Sequence, residues 1–346
     1  MDVWLNRIAT AVPPFEAHGK FLEYAPSMLA DERERRMFAR LAEKAQIERR
    51  YTIFEPATEP ERLDAGDFYV RGSFPPTSAR MALFDEHALP LASRACREVM
   101  VGTRPTDITH LVVTSCTGLS APGLDLQLQQ ALGLRSSLER TVIGFMGCYA
   151  AINGLKAAWH TVRSVPTAKV LLVNLELCTL HLQENVDLEG LLGFLQFADG
   201  CAASLISAEP EGAQLMRFHC DVLPSAAELI AWGVGDRGFD MVLAPKLAKV
   251  LGDNIASLLT WVDAPVSLWA VHPGGRAILD AVEAGLDLPK DALDVSRAVL
   301  RDYGNMSSAT VMFVLKAMLE GAASGTGLAM AFGPGLTLES MIFRKP

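Results

Sequence analysis

The chain has 346 residues, enough for one large or two fused α/β domains. Half of them are apolar and 21% are charged, which excludes a disordered chain. The 31 basic and 40 acidic residues leave a net charge of −9, which argues against non-specific binding to nucleic acid or to an anionic membrane.

Short apolar runs alternate with amphipathic stretches along the chain. A strand is predicted over 3–12, ended by Pro13-Pro14, and a charged amphipathic helix over 28–50. A helix follows over 78–100, then a buried strand over 110–115. Next come a helix over 123–132, a short strand over 141–143, an Ala-rich helix over 148–162, and strands over 169–175 and 201–206. The best seam is Glu209-Pro210-Glu211-Gly212. Beyond it lie a strand over 215–223, a helix over 241–260, a strand over 267–271, and helices over 273–284, 290–300 and 307–320. Two last strands flank Gly333-Pro334-Gly335. The pattern is mixed α/β with buried strands, in two unequal parts without a flexible linker. Gly233 to Gly238 matches G-x-G-x-x-G, but no clear parallel strand precedes it. It reads as a turn rather than a dinucleotide site.

The six cysteines, Cys96, Cys116, Cys148, Cys178, Cys201 and Cys220, form no C-x-x-C pair. The N-terminus has no basic segment followed by an apolar stretch, and no apolar run reaches ~18 residues. The expected setting is a reducing compartment, the cytoplasm, with no membrane span.

Three segments could carry chemistry. In Gly144-Phe145-Met146-Gly147-Cys148, a strand ends, glycines turn the chain and Cys148 opens a helix. The positive end of that helix favours thiolate, although inert core cysteines are the commoner case. His272 leaves a buried strand just before Pro273-Gly274-Gly275, or else it is a histidine satisfied by backbone. Asn305 precedes a helix that Ser307 or Ser308 would cap, or is itself a turn residue. Asn305-Met306-Ser307 also reads as a glycosylation sequon, a chance match in this compartment. Taken together, the three residues supply a nucleophile, a base and an oxyanion stabiliser. Periodicity does not say whether they converge.

With GFMGCYAA at 144–151, WAVHPGGRAIL at 269–279, DYGNMSSA at 302–309 and AFGPGLTLE at 331–339, the chain resembles the type III polyketide synthases, the chalcone-synthase-like enzymes. LNRIATAVP, IERRY, SCTGLSAPGLDLQL and FADGCAA are similar to family landmarks in the same order. The resemblance implies the thiolase-like α/β fold, two similar halves in an αβαβα layered sandwich. The halves would be 1–210, carrying the nucleophilic Cys, and 211–346, carrying His and Asn, in a homodimer. It implies an acyl-CoA starter extended by decarboxylative condensation with malonyl-CoA and then cyclised, without metal or other cofactor.

Carried over residue by residue, Cys148 holds the starter and growing chain as a thioester. His272 pairs with its thiolate, and His272 and Asn305 bind the malonyl thioester carbonyl. Phe197 matches one aromatic gate position. Met241 matches the second where plant relatives have phenylalanine, with Phe239 the other candidate. Cys116, Thr117, Glu176, Cys178, His181, Ser307, Gly333 and Pro334 match positions that line the cavity or guide cyclisation. A hydroxyl–carboxylate–hydroxyl relay of plant relatives keeps Glu176 and Ser307 here, with the weakly hydrogen-bonding Cys116 in the first place. Arg40 and Lys44, together with Gly274, Gly275 and Ala277, match CoA-binding positions, and Met37 stands where a third basic residue is expected. A flexible Met gate points to an aliphatic starter and a pyrone or resorcinol product. The rivals are a β-ketoacyl-carrier-protein synthase III-like enzyme of the same fold, a cysteine hydrolase and a non-catalytic acyl-CoA binder.

Overall fold

A computed structural model describes residues 1–184 and 187–346. The first half opens with β1 (Val3–Ala11), β2 (Phe15–Glu16), α1 (His18–Met28), α2 (Glu32–Ala45), β3 (Tyr51–Thr52) and α3 (Thr77–Val99). It continues through β4 (His110–Ser115), α4 (Leu124–Ala131), β5 (Glu139–Gly144), α5 (Ala150–Ser164), β6 (Val170–Leu177), α6 (Leu188–Phe194) and β7 (Asp199–Ser207). The second half holds β8 (Ala213–Val222), β9 (Ile230–Gly235), β10 (Gly238–Leu243), α7 (Leu247–Leu258) and β11 (Leu268–Val271). It ends with α8 (Arg276–Gly285), α9 (Asp294–Tyr303), α10 (Thr310–Glu320), β12 (Gly325–Gly333) and β13 (Thr337–Lys345).

Nine strands form one mixed sheet in the order β11-β12-β13-β8-β1-β7-β6-β4-β5. The two flanks repeat one design. On one side β4 runs parallel to β6, and β7 and β1 follow antiparallel. On the other β11 runs parallel to β12, and β13 and β8 follow antiparallel. β1 and β8 pair antiparallel at the join.

Side-chain alternation makes the layers. In β6, Leu172 points to one core while Leu171 and Val173 point to another. In β12, Ala329 and Ala331 face the shared core, and Leu328 and Met330 face a third. α5 and α10 therefore lie in the middle, packed on strands of both halves. α3 and α4 cover one outer face, and α7 and α8 the other. This is the αβαβα sandwich. The buried strands read as near-continuous apolar runs because both of their faces are covered.

Most predicted elements form within a few residues of their expected spans. Those not anticipated are α1, which carries Pro26; the short β2–β3 pair; the short α6; and the β9–β10 hairpin. The predicted helix over 241–260 starts only at Leu247, because 238–243 is strand paired back on 230–235. The glycine-rich motif at 233–238 is the turn of that hairpin. The helix expected over 28–50 starts at Glu32, where the Asp31 side chain accepts the Arg33 N–H, and stops where Gln46 turns left-handed. Among the described residues, no helix is long and apolar enough to cross a membrane.

Candidate active site

The chain leaves β5 at Gly144 and turns through Phe145 and Gly147, both with positive φ. Gly147–Tyr149 is a single 3-10 turn with Cys148 at its centre, and α5 continues from Ala150. Packing demands the glycine as much as φ does, since a Cβ on Gly147 would overlap the Pro334 ring. A Cβ on Gly333 would lie 2.7 Å from the Tyr149 ring. The loop between β12 and β13 thus clamps the cysteine turn without room for a methyl group. A matching 3-10 turn, Ser307–Ala309, precedes α10 and packs against the first. Ser307 has φ of 46°, which is uncommon for a residue with a side chain.

His272 follows the last residue of β11, and its N–H donates to Met330 O at 2.8 Å. The ring is buried, and neither nitrogen has a partner among the described residues. Asn305 is held by its backbone, donating N–H to Gln196 O at 2.7 Å and accepting from Ala198 N at 2.9 Å. Its Oδ1 accepts from Ser307 N at 2.9 Å and its Nδ2 donates to Gly274 O at 3.2 Å. Its second amide hydrogen lies toward the Cys148 sulfur, where a ligand oxygen can take it over.

Cys148, His272 and Asn305 line one apolar cavity of about 780 Å3. Cys116, Thr117, Cys178, Phe197, Met241, Gly274, Ser307, Gly333 and Pro334 line it as well. Phe239 does not; its ring is buried and stacks on His181 with centroids 4.0 Å apart. His181 lies outside the wall too, a correction to its expected lining position. Its Nε2 donates to Thr117 O at 2.7 Å and its Nδ1 accepts from Phe239 N at 3.1 Å. Gly275 and Ala277 open α8 outside the cavity, where a Cβ on Gly275 would overlap the Gln196 side chain. Arg40 and Lys44 are exposed on α2, in no ion pair among the described residues, with Met37 exposed beside them.

Glu176 sits behind the wall, fully buried. It accepts hydrogen bonds from Cys116 N (3.0 Å), Thr117 Oγ1 (2.9 Å) and Ser308 Oγ (2.6 Å). The Cys116 thiol bridges it to Ser307, with 3.3 Å to Glu176 Oε1 and 3.3 Å to Ser307 Oγ. Burial nonetheless raises the Glu176 carboxyl above its usual range. Ser308 caps nothing, contrary to expectation, because Glu176 takes its hydroxyl. Sequence reading also missed Trp232, which lines the cavity from β9 and donates Nε1–H to Cys116 O at 2.8 Å. Its hairpin carried no clear strand signal. Arg276, on the first turn of α8, donates to Lys44 O at 2.9 Å and adds a cation near α2.

The electrostatics run against one expectation when each group is taken singly. The helix N-terminus and His272 were expected to hold Cys148 as a thiolate. Instead burial pushes its thiol up to about 12, against hydrogen bonds with Ser307 and Asn305 that pull it down and with the nearby Glu176 charge adding to the rise. Burial also pushes His272 down to about 3. Burial thus opposes a lone charge of either sign on these two groups, so a thiolate here needs the imidazolium beside it.

Five layers closed around a thiol in an apolar chamber are the architecture of acyl-transferring condensing enzymes of the thiolase type. Two family models divide the chain between them: the chalcone and stilbene synthase N-terminal domain matches 18–210 and the C-terminal domain 214–345. The chain belongs to this family, the type III polyketide synthases, and is an acyltransferase acting on acyl-CoA substrates. The alpha-pyrone synthesis polyketide synthase-like Pks18 of Mycobacterium tuberculosis is 33% identical over 91% of this chain and 84% of its own. Bisdemethoxycurcumin synthase of Oryza sativa subsp. japonica is 33% identical over 88% of this chain and 82% of its own. The crystal structure of PKS-I from the brown alga Ectocarpus siliculosus is 31% identical, with a TM-score of 0.91 over 100% of this chain and 98% of that one.

A neutral resting thiol has a kinetic signature. Alkylation of Cys148 by iodoacetamide should accelerate with each unit of pH, without a plateau below about pH 10, since only the thiolate reacts. A rate already constant below neutral pH would show an ion pair in the resting enzyme instead.

Proposed function

We propose that this enzyme loads an aliphatic acyl group from CoA onto Cys148, extends it with malonyl-CoA and releases an α-pyrone. The observation that carries the reading is the convergence of Cys148, His272 and Asn305 on one apolar cavity, with both His272 nitrogens free. In loading, the Cys148 sulfur attacks the acyl carbonyl as its proton passes to His272, whose depressed pKa keeps the imidazole neutral and ready. The CoA thiolate leaves and takes that proton. Opposite charges on the two groups arise together, so each offsets the other's loss of hydration.

Malonyl-CoA then places its thioester oxygen against His272 and the second Asn305 amide hydrogen, which it takes over from the Cys148 sulfur. The bond to the carboxylate breaks, CO2 leaves, and the electron pair becomes an enolate stabilised by those two donors. The enolate carbon attacks the Cys148 thioester, forming the new C–C bond and expelling the cysteine sulfur. The extended chain, now on CoA, returns to Cys148, and a second malonyl-CoA repeats the extension to give a triketide that is again carried as the Cys148 thioester. Attack of an enol oxygen on the thioester carbonyl closes the pyrone and frees the thiol.

Three features support the aliphatic, short-chain form of this reading. Met241 offers a flexible gate opposite Phe197. Trp232, backed by Phe239 and His181, occupies one wall with rigid aromatic bulk and leaves less room for a long chain. A relative of similar sequence is named for alpha-pyrone synthesis. Arg40, Lys44 and Arg276 are the cations we assign to the CoA phosphates, with Gly274, Gly275 and Ala277 at the mouth. We read the halves as 1–210 and 211–346, and the working unit as a cytoplasmic homodimer. The exposed Leu119 and Val142, the latter on edge strand β5, are apolar surface in keeping with a partner copy.

Two measurements test the reading. Asn305→Ala should lower malonyl-CoA decarboxylation by about 10²–10³-fold while starter transfer to Cys148 stays near wild type; equal loss of both would remove Asn305 from the condensation step. Mass spectrometry of products from a panel of starter-CoA thioesters should give pyrones from aliphatic starters, and Trp232→Gly should shift them to longer chains. Hydrolysed starter with no malonyl-CoA consumed would refute the synthase chemistry.

A further inference from the structure

A second cavity lies behind the gate. It measures about 490 Å3 and shares two walls, Phe194 and Phe197, with the catalytic chamber. Phe21 of α1, then Phe54, Pro56, Leu63 and Tyr69 from the segment before α3, and Leu182 make more than half of the rest, with Thr52 and Thr179 among the others. These walls are carbon almost throughout.

Arg50 is the exception. Its side chain is buried, 3% exposed, yet it lines the cavity. Nε donates to His18 Nδ1 at 3.1 Å, and Nη1 donates to the carbonyls of Phe194 at 3.2 Å and Phe197 at 2.6 Å. The guanidinium carbon stands 4.9 Å from the centre of the Phe21 ring. Nη2 has no partner among the described residues. Among the described residues no carboxylate hydrogen-bonds this guanidinium. Glu16 accepts the backbone N–H of Arg50 at 3.3 Å, and Asp199 is taken by Thr179 and Ile53. The other cation of the cavity, Lys20, is paired with Glu23 at 3.2 Å. A buried guanidinium with a spare N–H in an apolar chamber is costly, and an anion on an apolar chain removes that cost.

We propose that this second cavity binds a medium-chain fatty carboxylate, with its head group on Arg50 Nη2 and its chain along Phe54, Leu63 and Leu182. The spare N–H at Arg50 Nη2 calls for an acceptor head group, with Glu16 and Asp199 offsetting part of the guanidinium charge from a distance, and the walls call for an apolar chain. The occupant lies on the far side of Phe197 from Cys148. Arg50 holds the Phe197 carbonyl as well, so a bound carboxylate braces the gate from behind.

Calorimetry with decanoate and decanol tests the site. The wild type should bind decanoate saturably and decanol at least tenfold more weakly. Leu63→Trp, which fills the second cavity without touching Arg50, should weaken decanoate binding at least tenfold. Met241→Trp, which fills the catalytic chamber, should leave it unchanged. Arg50→Gln, if it folds, should bring decanoate down to the affinity of decanol. Loss in Met241→Trp with retention in Leu63→Trp would put the ligand in the catalytic chamber and overturn the proposal. Equal affinity for decanol, or no saturable binding to the wild type, would overturn it as well.

Discussion

Everything at this site depends on two loops from opposite halves meeting with no space between them. Gly147 lies against Pro334 and Gly333 against Tyr149, each pair too close for one more methyl group. The cysteine turn then has one conformation available, and interiors packed this tightly are bistable at best rather than deformable. α5 and α10 carry that rigidity inward. Each starts from a 3-10 turn at the centre of the sandwich, and the two turns pack on each other. The reactive residues stand at the ends of elements held by five layers, so their positions follow from the fold rather than from mobile loops.

The same closure sets the chemistry. Excluding water strengthens every hydrogen bond offered to a developing oxyanion and penalises every isolated charge. A buried thiol and a buried imidazole both stay neutral under that penalty, and they ionise only as a pair. Glu176 is subject to the same rule. With several donors around it, its carboxyl is still raised by burial. Cys116, a weak hydrogen-bonding group, stands between Glu176 and Ser307, while the stronger hydroxyls of Ser308 and Thr117 bind the carboxylate directly. The carboxylate nearest the chamber is thus kept behind the cavity wall.

That arrangement leaves side-chain volume to choose the substrate. Trp232 and Met241 come from adjacent strands of one hairpin and are paired in register, so a rigid aromatic and a flexible thioether enter the chamber side by side. Phe197 belongs to both cavities. Its carbonyl is tied to Arg50, and its bridge to Asn305 joins it to the turn that carries the amide. The gate, the second cavity and the oxyanion donor are therefore one connected structure.

Much of this was legible in the chain. The buried strands at 110–115 and 201–206, the Ala-rich helix after Cys148 and the last two strands were all readable from apolar runs and glycine punctuation. So were Cys148, His272 and Asn305, because reactive residues at strand–helix junctions leave a local signature in small residues. The resemblance to a family then supplied their convergence. Three-dimensional packing decided the rest. The β9–β10 hairpin has little periodicity, so Trp232 went unseen until pairing put it in the wall. His181 looked like cavity lining, but two backbone hydrogen bonds turn it away. The charge state of Cys148 looked like a question of helix dipole and neighbouring base; the desolvation of the chamber enters it with the opposite sign. Local residue patterns determine which elements form and which side chains are reactive. Burial, which sums over residues distant in sequence, decides what each side chain faces and which charge it can hold.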